Sequence, residues 1–379
     1  MGEKVLITGG LGFIGLALAR TLVRRGMAVR LLDNLSPQIH GAVPQPELGT
    51  LLEERHVEVM RGDVCRRQDW VTALSDVASV VHLAAETGTG QSMYRIGDYT
   101  STNVLGTALL LDVLANDHHQ VTKLLLASSR SVYGEGTYRC AGCGLVYPPI
   151  RSLDSLQAGQ WEPLCPGCCG PIHPVATPET ARTSPASVYA ATKLAQEDLV
   201  RIAANALGIP FQIFRLQNVY GEGQSLNNPY TGILSIFSNR IRQGKVIILF
   251  EDGQESRDFV HVSDVAEAMA LGLLGDGGDG LTMNVGSGIP VTVDTIARSL
   301  KRHFDDSSAL VMSGQYRLGD IRHNYADISV ISRALGFSPQ VLLEEGIGRF
   351  VRWVKTQPIA EDGLDRANRE LIERGLMKA

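Results

Sequence analysis

The amino-acid sequence predicts an α/β fold, in which a doubly wound parallel sheet is accompanied by a smaller C-terminal domain. Short apolar segments rich in Val, Leu and Ile alternate with helical apolar patterns from Lys4 to Leu216, as in parallel strands joined by crossover helices. A run of glycines follows the first segment, where such a sheet binds its ligand. At 379 residues, the chain is long enough for one large domain and a smaller one.

The composition argues against several classes of partner. A formal net charge of −5 gives no general attraction to nucleic acid or to an anionic membrane, so an anionic ligand would need locally placed arginines. No apolar run reaches the roughly 18 residues that a membrane span requires, and glycines interrupt the apolar N-terminal segment. We therefore expect a cytoplasmic protein without a signal peptide, which binds neither nucleic acid nor membrane.

The first strand, Lys4 to Thr8, runs into the glycine-rich segment 9–15 and then into a helical pattern. Gly9, Gly12 and Gly15 allow a tight turn, close approach of the backbone to a pyrophosphate, and close helix–strand packing. The spacing is G-x-x-G-x-x-G, and a plain tight turn is the alternative interpretation. The residues expected to bind the dinucleotide are Gly9, Gly12, Phe13 and Ile14.

The second strand, Ala28 to Leu32, ends in Asp33 and Asn34. This position is close to the offset of roughly 20 residues at which an acid accepts the adenosine ribose hydroxyls. No arginine follows, and the carboxylate would repel a 2′-phosphate, so NAD is favoured over NADP. A solvated acid at a strand end is the alternative.

Three more strands are predicted at His56 to Arg61, Ser79 to Ala84 and Lys123 to Ala127. Ligands of a doubly wound sheet bind at the carboxyl ends of its strands, so we expect further NAD contacts there. A long apolar helix, Tyr99 to Asn116, lies between the last two strands. The remaining expected cofactor contacts are Asp63, Val64, Leu83, Ala84, Ala85 and Asn103.

The segment Ser187 to Lys193 reads SVYAATK and predicts an acid–base pair. On a helix, Tyr189 and Lys193 share a face, and a nearby ammonium lowers the phenol pKa from about 10. Tyr189 could then take a proton from an alcohol and return it. Ser129, at the end of the fifth strand, could supply a second hydrogen bond to a substrate oxygen. The alternatives are a half-buried tyrosine with a solvated lysine, and an ordinary loop serine.

Together these segments resemble the extended short-chain dehydrogenase/reductases, the nucleotide-sugar epimerase and dehydratase family. The resemblance rests on TGGLGFIG, LLDN, GDV, HLAAE, SSRSVYG, SVYAATK, RDFVHVSD and GDIRHNYAD, which cover most of residues 1–350. It implies a bound NAD that is reduced and reoxidised within one turnover. It also implies that Ser129 is catalytic, that Tyr189 is the general base, and that Lys193 holds the nicotinamide ribose.

The resemblance further implies a nucleoside-diphosphate sugar as substrate. Asn218, which follows the predicted strand Phe211 to Leu216, matches a position that contacts the substrate phosphates. Gln217 stands where relatives often carry an aromatic residue, so the contact beside the nicotinamide is left open. Arg257 would grip the pyrophosphate with Arg317 as its partner, since arginine makes bidentate bonds to phosphate. A solvated or salt-bridged arginine is the alternative. The other expected substrate contacts are Thr87, Ser129 and Arg130.

An insertion, Glu135 to Ser184, separates SSRSVYG from SVYAATK, where many relatives have a short loop. It carries two C-x-x-C pairs whose glycines are typical of zinc-ribbon knuckles, in which four thiolates hold one Zn²⁺. Four thiolates close the coordination shell, so the metal would fold the insertion rather than catalyse. A partly oxidised or metal-free loop, and Cys169 as the fourth ligand, are the alternatives. The expected ligands are Cys140, Cys143, Cys165 and Cys168.

The cysteine pairs, ETGTGQSMY and NPYTG resemble the dTDP-L-rhamnose 4-epimerase branch of the family. The 4,6-dehydratases carry Asp-Glu after their catalytic threonine, whereas Arg130 and Ser131 follow Ser129 here. The resemblance thus implies epimerisation of a dTDP-6-deoxyhexose by transient oxidation at C4, with hydride returned to the opposite face. Alternatives within the family are a UDP- or GDP-sugar 4-epimerase, or another oxidoreductase, decarboxylase or dehydratase. A non-catalytic scaffold is the alternative outside it.

Three units are expected, with a charge-rich helix in Pro358 to Ala379 packed on the surface. The resemblance also implies a homodimer whose four-helix interface uses Asn103 to Asn116 and Ser187 to Ala206. The expected ranges are 1–134, 178–221 and 256–276 for the Rossmann-type NAD-binding domain, 135–177 for the zinc-ribbon-like insertion, and 222–255 and 277–379 for the nucleotide-sugar-binding domain.

Overall fold

A computed structural model describes residues 3–40, 56–228, 230, 232–359 and 363–378. The strands are β1 (Lys4–Thr8), β2 (Ala28–Asp33), β3 (Val57–Arg61), β4 (Ser79–His82), β5 (Lys123–Ser129), β6 (Tyr138–Cys140), β7 (Gly144–Val146), β8 (Ile172–Pro174), β9 (Phe211–Leu216), β10 (Asn218–Tyr220), β11 (Ile247–Leu249), β12 (Ser256–His261), β13 (Thr282–Val285), β14 (Pro290–Thr292), β15 (Leu310–Met312), β16 (Tyr316–Arg317), β17 (His323–Asn324) and β18 (Met377–Lys378).

Helices connect and cover these strands. The α-helices span Phe13–Arg24, Pro37–His40, Arg67–Ala73, Thr89–Ser92, Ile96–Tyr99, Gly106–Asn116, Leu153–Gln157, Val188–Leu207, Ile233–Arg242, Val262–Leu274, Val293–Phe304, Ser329–Leu335, Leu343–Thr356 and Leu364–Glu373. A π-helical segment spans Thr100–Leu105, and a 3₁₀ turn spans Arg130–Tyr133. Among the described residues, no helix has the length and apolar character required to cross a membrane.

The predicted α/β fold is confirmed by a seven-stranded parallel sheet in the order β13-β9-β5-β4-β1-β2-β3. Val5 of β1 lies opposite Val29 on one side and Ser79 on the other. The chain order therefore reverses between β1 and β4, and a doubly wound sheet opens its binding crevice at such a point. Helices cover both faces, which explains why a strand such as β4 is buried along its whole length.

A smaller unit packs around β12, which pairs with β10, β14 and β17. Its core contains Phe237, Ile296 and Phe350 from three surrounding helices. The strand β13 lies within the range 277–379 predicted for the second unit, yet it pairs with β9 in the large sheet. Conversely, β10 and β12 lie within the ranges 178–221 and 256–276 predicted for the NAD-binding domain, yet they pair with each other outside the large sheet. The boundary of the large sheet thus differs from the predicted one, because a late segment of the chain returns to its edge.

Several elements differ from the predicted ones in detail. The helix expected at Tyr99 to Asn116 contains the π-helical segment Thr100–Leu105 before its regular part. The predicted strand Ser79 to Ala84 ends at His82, and the residues beyond it line a cavity. Within the predicted C-terminal helix, Leu364–Glu373 is helical and buries Leu364, Ala367 and Leu371. Residues 360–362 and 379 lie outside the described part.

The insertion forms a three-stranded antiparallel sheet in the order β7-β6-β8. One buried and one half-exposed ion pair attach it to the smaller unit. Arg151 of the insertion lies 2.8 Å from the Glu251 carboxylate, and Arg322 contacts both Glu251, at 3.0 Å, and Glu162 of the insertion, at 2.7 Å. The insertion is therefore held against the smaller unit by charged side chains.

Candidate active site

A cavity of about 480 Å³ opens at the carboxyl edge of the large sheet. The residues that end β2, β5 and β9 line it, as do the glycine-rich segment, the helix Val188–Leu207 and part of the smaller unit. The predicted contacts that line the cavity are Gly9, Gly12, Phe13, Ile14, Asp33, Asn34, Val64, Leu83, Ala84, Ala85, Thr87, Ser129, Arg130, Tyr189, Lys193 and Asn218.

The glycine-rich segment leaves room for a dinucleotide phosphate. Gly9 has a φ of +63°, and a Cβ at this position would lie 3.0 Å from the backbone nitrogen of Ala84. A Cβ at Gly15 would lie 2.4 Å from the carbonyl oxygen of Gly9, so the helix can approach the turn only without a side chain there. Gly12 precedes the helix Phe13–Arg24, whose first N–H groups attract an anion. These residues fit the pyrophosphate of NAD.

Asp33 presents a buried carboxylate to the cavity at the end of β2. It accepts hydrogen bonds from the backbone N–H groups of Leu11, at 3.1 Å, and Leu35, at 2.8 Å. A ring nitrogen of His40 lies 3.2 Å from the same carboxylate, and His40 also lines the cavity. Sequence reasoning missed His40, because its distance from Asp33 is set by a short helical turn that carries no motif.

The Tyr189 and Ser129 side chains meet although they are far apart in the sequence. The helix that carries Tyr189 begins after Ser187, whose hydroxyl accepts a hydrogen bond from the backbone N–H of Ala190 at 3.2 Å. Ser129 ends β5, and its hydroxyl lies close enough to the Tyr189 phenol to lower the pKa of that phenol. The Ser131 hydroxyl donates to Ser129 Oγ at 3.0 Å. Both catalytic candidates are therefore held by the ends of regular elements.

The Lys193 side chain is buried, and its Nζ donates to the carbonyl oxygen of Ala127 at 2.9 Å. Burial lowers the pKa of Lys193 to about 7, against the opposing effect of Glu197. Burial also raises the pKa of Tyr189, while Ser129 and then Arg130 lower it. The Lys193 ammonium is hydrogen-bonded to strand β5, and its effect on the phenolate stays a prediction. Ser129 and Arg130 oppose the effect of burial on Tyr189.

A buried ion pair links the catalytic helix to the sheet. The Glu197 carboxylate accepts two hydrogen bonds from Arg215, at 2.7 and 2.9 Å, and one from the Ser128 hydroxyl at 2.5 Å. Glu197 lies one helical turn after Lys193, so the pair fixes the face that carries the catalytic side chains. Sequence reasoning missed it, although an acid four residues after Lys193 was a visible signal.

Two predicted NAD contacts, Asn103 and Asp63, are not among the residues that line the cavity. Asn103, in the π-helical segment, exchanges hydrogen bonds with the backbone of Glu86 and donates to Thr192 Oγ1 at 2.9 Å. Asp63 accepts from the backbone N–H of Cys65 at 2.8 Å. Asn103 thus stabilises a cavity-lining loop, and Asp63 a turn beside the cavity-lining Val64.

The predicted substrate arginines occupy different places. Arg130 lines the cavity and donates to Asn218 Oδ1 at 3.1 Å, and burial, followed by the charge of Arg257, lowers its pKa to about 9. Arg257 donates to backbone carbonyls, including that of Ile321 at 2.6 Å. Arg317 donates to Asn368 at 2.9 Å. Neither Arg257 nor Arg317 is among the cavity-lining residues, because each side chain is hydrogen-bonded to protein groups outside the cavity.

The thiol sulfurs of the cysteine pairs converge in the insertion, all within 4.8 Å of one another. Cys140 and Cys165 are buried, whereas Cys143 and Cys168 are exposed. Thiolates bound to Zn²⁺ at about 2.3 Å fit within such spacing. Cys169 is exposed and lies outside this cluster of four. These four cysteines therefore suit a tetrahedral metal ion.

Comparison with known proteins agrees with this arrangement. The model of the NAD dependent epimerase/dehydratase family matches residues 5–146 and 167–286. The chain belongs to this family. The unmatched stretch between the two parts, 147–166, lies within the insertion. The resemblance inferred from the motifs is thereby confirmed.

Individual family members match nearly the whole chain. The dTDP-L-rhamnose 4-epimerase of Burkholderia thailandensis is 41% identical over 369 residues, which cover 97% of each protein. The structure of UDP-glucose 4-epimerase from Thermotoga maritima with UDP-glucose is 26% identical, with a TM-score of 0.75 over 93% of this chain and 99% of that one. The Thermus thermophilus UDP-glucose 4-epimerase complex with NAD is 25% identical, with a TM-score of 0.70 over 94% and 100%.

Proposed function

We propose that this chain is an NAD-dependent nucleotide-sugar 4-epimerase that acts on a dTDP-6-deoxyhexose such as dTDP-L-rhamnose. The observation that carries the proposal is the cluster of Ser129, Tyr189 and Lys193 in the same cavity as the glycine-rich segment. The 41% identity to dTDP-L-rhamnose 4-epimerase supports the choice of substrate.

Bound NAD⁺ would accept hydride from the sugar C4 and return it to the opposite face. Tyr189, as phenolate, takes the proton of the C4 hydroxyl, while Ser129 donates a hydrogen bond to the developing ketone oxygen. After the keto-sugar has turned in the cavity, Tyr189 returns the proton to the oxygen. Lys193 would hold the nicotinamide ribose, Gly9 and Gly12 would hold the pyrophosphate, and Asp33 would hold the adenosine ribose.

The substrate is anchored by its diphosphate so that only the sugar turns. Arg130 and Asn218 are the proposed contacts, because both line the cavity beside Ser129. Arg257 adds positive charge from behind Arg130. Arg317, the other proposed diphosphate ligand, borders a small neighbouring recess, and its contact with phosphate requires it to release Asn368.

A UDP-sugar 4-epimerase is the second candidate, favoured by the likeness to the Thermotoga maritima enzyme with UDP-glucose. A panel of dTDP- and UDP-sugars, followed by NMR, distinguishes the two. We expect inversion at C4 of a dTDP-6-deoxyhexose, no net change in absorbance at 340 nm, and NAD retained through purification. Inversion of UDP-sugars alone would favour the second candidate. A steady absorbance change that requires added cofactor would contradict both.

We also propose that Cys140, Cys143, Cys165 and Cys168 hold a structural Zn²⁺. The convergence of their sulfurs supports this, and so does the small size of the insertion's apolar core. A bound Zn²⁺ would cross-link the two cysteine pairs and so stabilise the fold of the insertion. With four protein ligands it would leave no open position for substrate.

Finally, we propose a homodimer whose interface uses the helices Gly106–Asn116 and Val188–Leu207. Ile202 on the second helix is 71% exposed, and Leu105, just before the first, is 46% exposed. Exposed apolar side chains on paired helices suit a symmetric interface. Ile202→Glu should convert the dimer to a monomer in light scattering. A wild-type protein that is already monomeric would refute this assembly.

A further inference from the structure

Gln217 is a buried amide on the cavity wall. This residue is only 5% exposed, and it lines the cavity directly after strand β9. Within the described part of the chain, neither its amide oxygen nor its amide nitrogen has a hydrogen-bond partner. Native proteins rarely bury an amide in this way without a partner. The position therefore suits a ligand that both donates and accepts hydrogen bonds.

The backbone around Gln217 is fixed on both sides. Its own N–H donates to the carbonyl oxygen of Val285 at 2.9 Å, and the preceding Leu216 is the cross-strand partner of Ser129. A Cβ on Gly286 would lie 2.7 Å from Cγ of Gln217, so the side chain packs closely against that backbone. Gln217 is thus placed next to the catalytic Ser129.

The polar side chains near Gln217 indicate which hydrogen-bonding groups a ligand would need at this position. Arg130 can only donate, and its Nε already donates to Asn218 Oδ1. Ser129 is committed to the oxygen at C4 in the proposed reaction. Gln217 offers one acceptor and two donors without charge. A vicinal pair of sugar hydroxyls has matching groups, so it can pair with this amide in one of the two orientations of the sugar.

We propose that Gln217 hydrogen-bonds the ring hydroxyls of the hexose at C2 or C3 and is a specificity-determining residue. This inference rests on the proposed 4-epimerase function. The carboxamide of NAD has the same hydrogen-bonding chemistry, so the two sources must be separated by experiment. Because Gln217 contacts the sugar and not the nucleotide, its loss should weaken binding of dTDP-L-rhamnose without weakening that of dTDP.

The test compares Gln217→Met, which keeps the length of the side chain, with the wild-type holoenzyme. For dTDP-L-rhamnose we expect kcat/KM to fall about tenfold or more, the effect of one or two buried hydrogen bonds. The Kd for dTDP and the NAD content should stay within about twofold of the wild-type values. The loss of a buried hydrogen bond would change them more. Gln68→Met, at an exposed position, is the control. If the Met variant does not fold, Gln217→Asn, which withdraws the amide by one methylene, should show the same pattern.

Deoxy analogues identify the hydroxyl. The wild type should discriminate against the 2-deoxy or the 3-deoxy form of dTDP-L-rhamnose, and Gln217→Met should lose that discrimination. Loss of NAD from the variant would assign the amide to the cofactor and overturn the proposal, as would unchanged kinetics. If the wild type inverts no sugar, the proposed function fails. The ratio of the Kd values for dTDP-L-rhamnose and dTDP then still tests the sugar contact.

Discussion

The ammonium nitrogen of Lys193 donates a hydrogen bond to the carbonyl oxygen of Ala127, 2.9 Å away. This bond joins the catalytic helix to strand β5 two residues before Ser129. It sets the distance between the elements that carry Tyr189 and Ser129. The lysine therefore holds the site together in addition to any contact with the cofactor.

Replacing Lys193 with Met should lower kcat at least about 100-fold and weaken NAD retention, because proton transfer depends on a correctly positioned base. Lys123→Met is a matched control, since Lys123 is also buried on β5 and donates to the carbonyl oxygen of Gly275 at 2.8 Å. The control should lose stability but keep its turnover per folded molecule. Steady-state kinetics and the NAD content after purification measure both effects. Equal losses of activity in the two variants would contradict the assigned role of Lys193.

Tyr189→Phe removes the proposed proton acceptor while keeping the ring. The edge-on contact with Tyr99, at 6.4 Å between ring centroids, should survive, so we expect a folded protein with bound NAD. Turnover should fall at least about 1,000-fold, which is within the range for loss of a general base. NMR of the sugar after long incubation is the measurement. A variant that retains the wild-type rate would remove Tyr189 from the mechanism.

The pH dependence of kcat/KM should change in Ser129→Ala. Tyr189 acts in its deprotonated form, so activity rises with pH through its pKa in the cofactor-bound enzyme. Ser129 and Arg130 lower that pKa, and their removal therefore raises it. We expect the acidic limb of the profile to move to higher pH in Ser129→Ala, and in Arg130→Met as well. If the acidic limb of the profile stays at the same pH in both variants, a group other than Tyr189 titrates in that range.

Metal analysis should find about one zinc ion per chain. Cys165→Ser and Cys168→Ser should lose it, because each removes one sulfur from the cluster. Cys169→Ser and Cys65→Ser should retain it and serve as controls. Chelation should first expose the insertion to protease, before the large sheet unfolds. If Cys169→Ser loses zinc and Cys168→Ser retains it, the fourth ligand is Cys169 and not Cys168.

Glu197→Gln should destabilise the fold, because it leaves the buried Arg215 charge without its counter-ion. Removing one partner of a buried pair costs about 3–5 kcal/mol of unfolding free energy. Denaturant unfolding measures this quantity. Glu58→Gln, which breaks a half-exposed pair with Lys4 at the surface, should cost clearly less. Equal effects in the two variants would mean that the Arg215 pair contributes no special stability.

Local sequence patterns predicted much of this protein. Alternating apolar segments indicated the parallel sheet, and the glycine spacing indicated the turn before the first helix, because both depend on neighbouring residues. The i, i+4 relation placed Tyr189 and Lys193 on one helical face. The spacing of the cysteines likewise predicted which four thiols converge.

Only the tertiary structure decided which side chains face the cavity. It directs Lys193 to the carbonyl oxygen of Ala127, and it brings Arg130 to the cavity wall while Arg257 binds carbonyls behind it. It also buries Gln217 next to the strand end that carries Ser129, and leaves its amide without a partner among the described residues. These choices depend on packing between segments distant in the chain, and the strength of a hydrogen bond or charge depends on its burial. A linear pattern specifies residue type and local geometry, but it does not contain those distances.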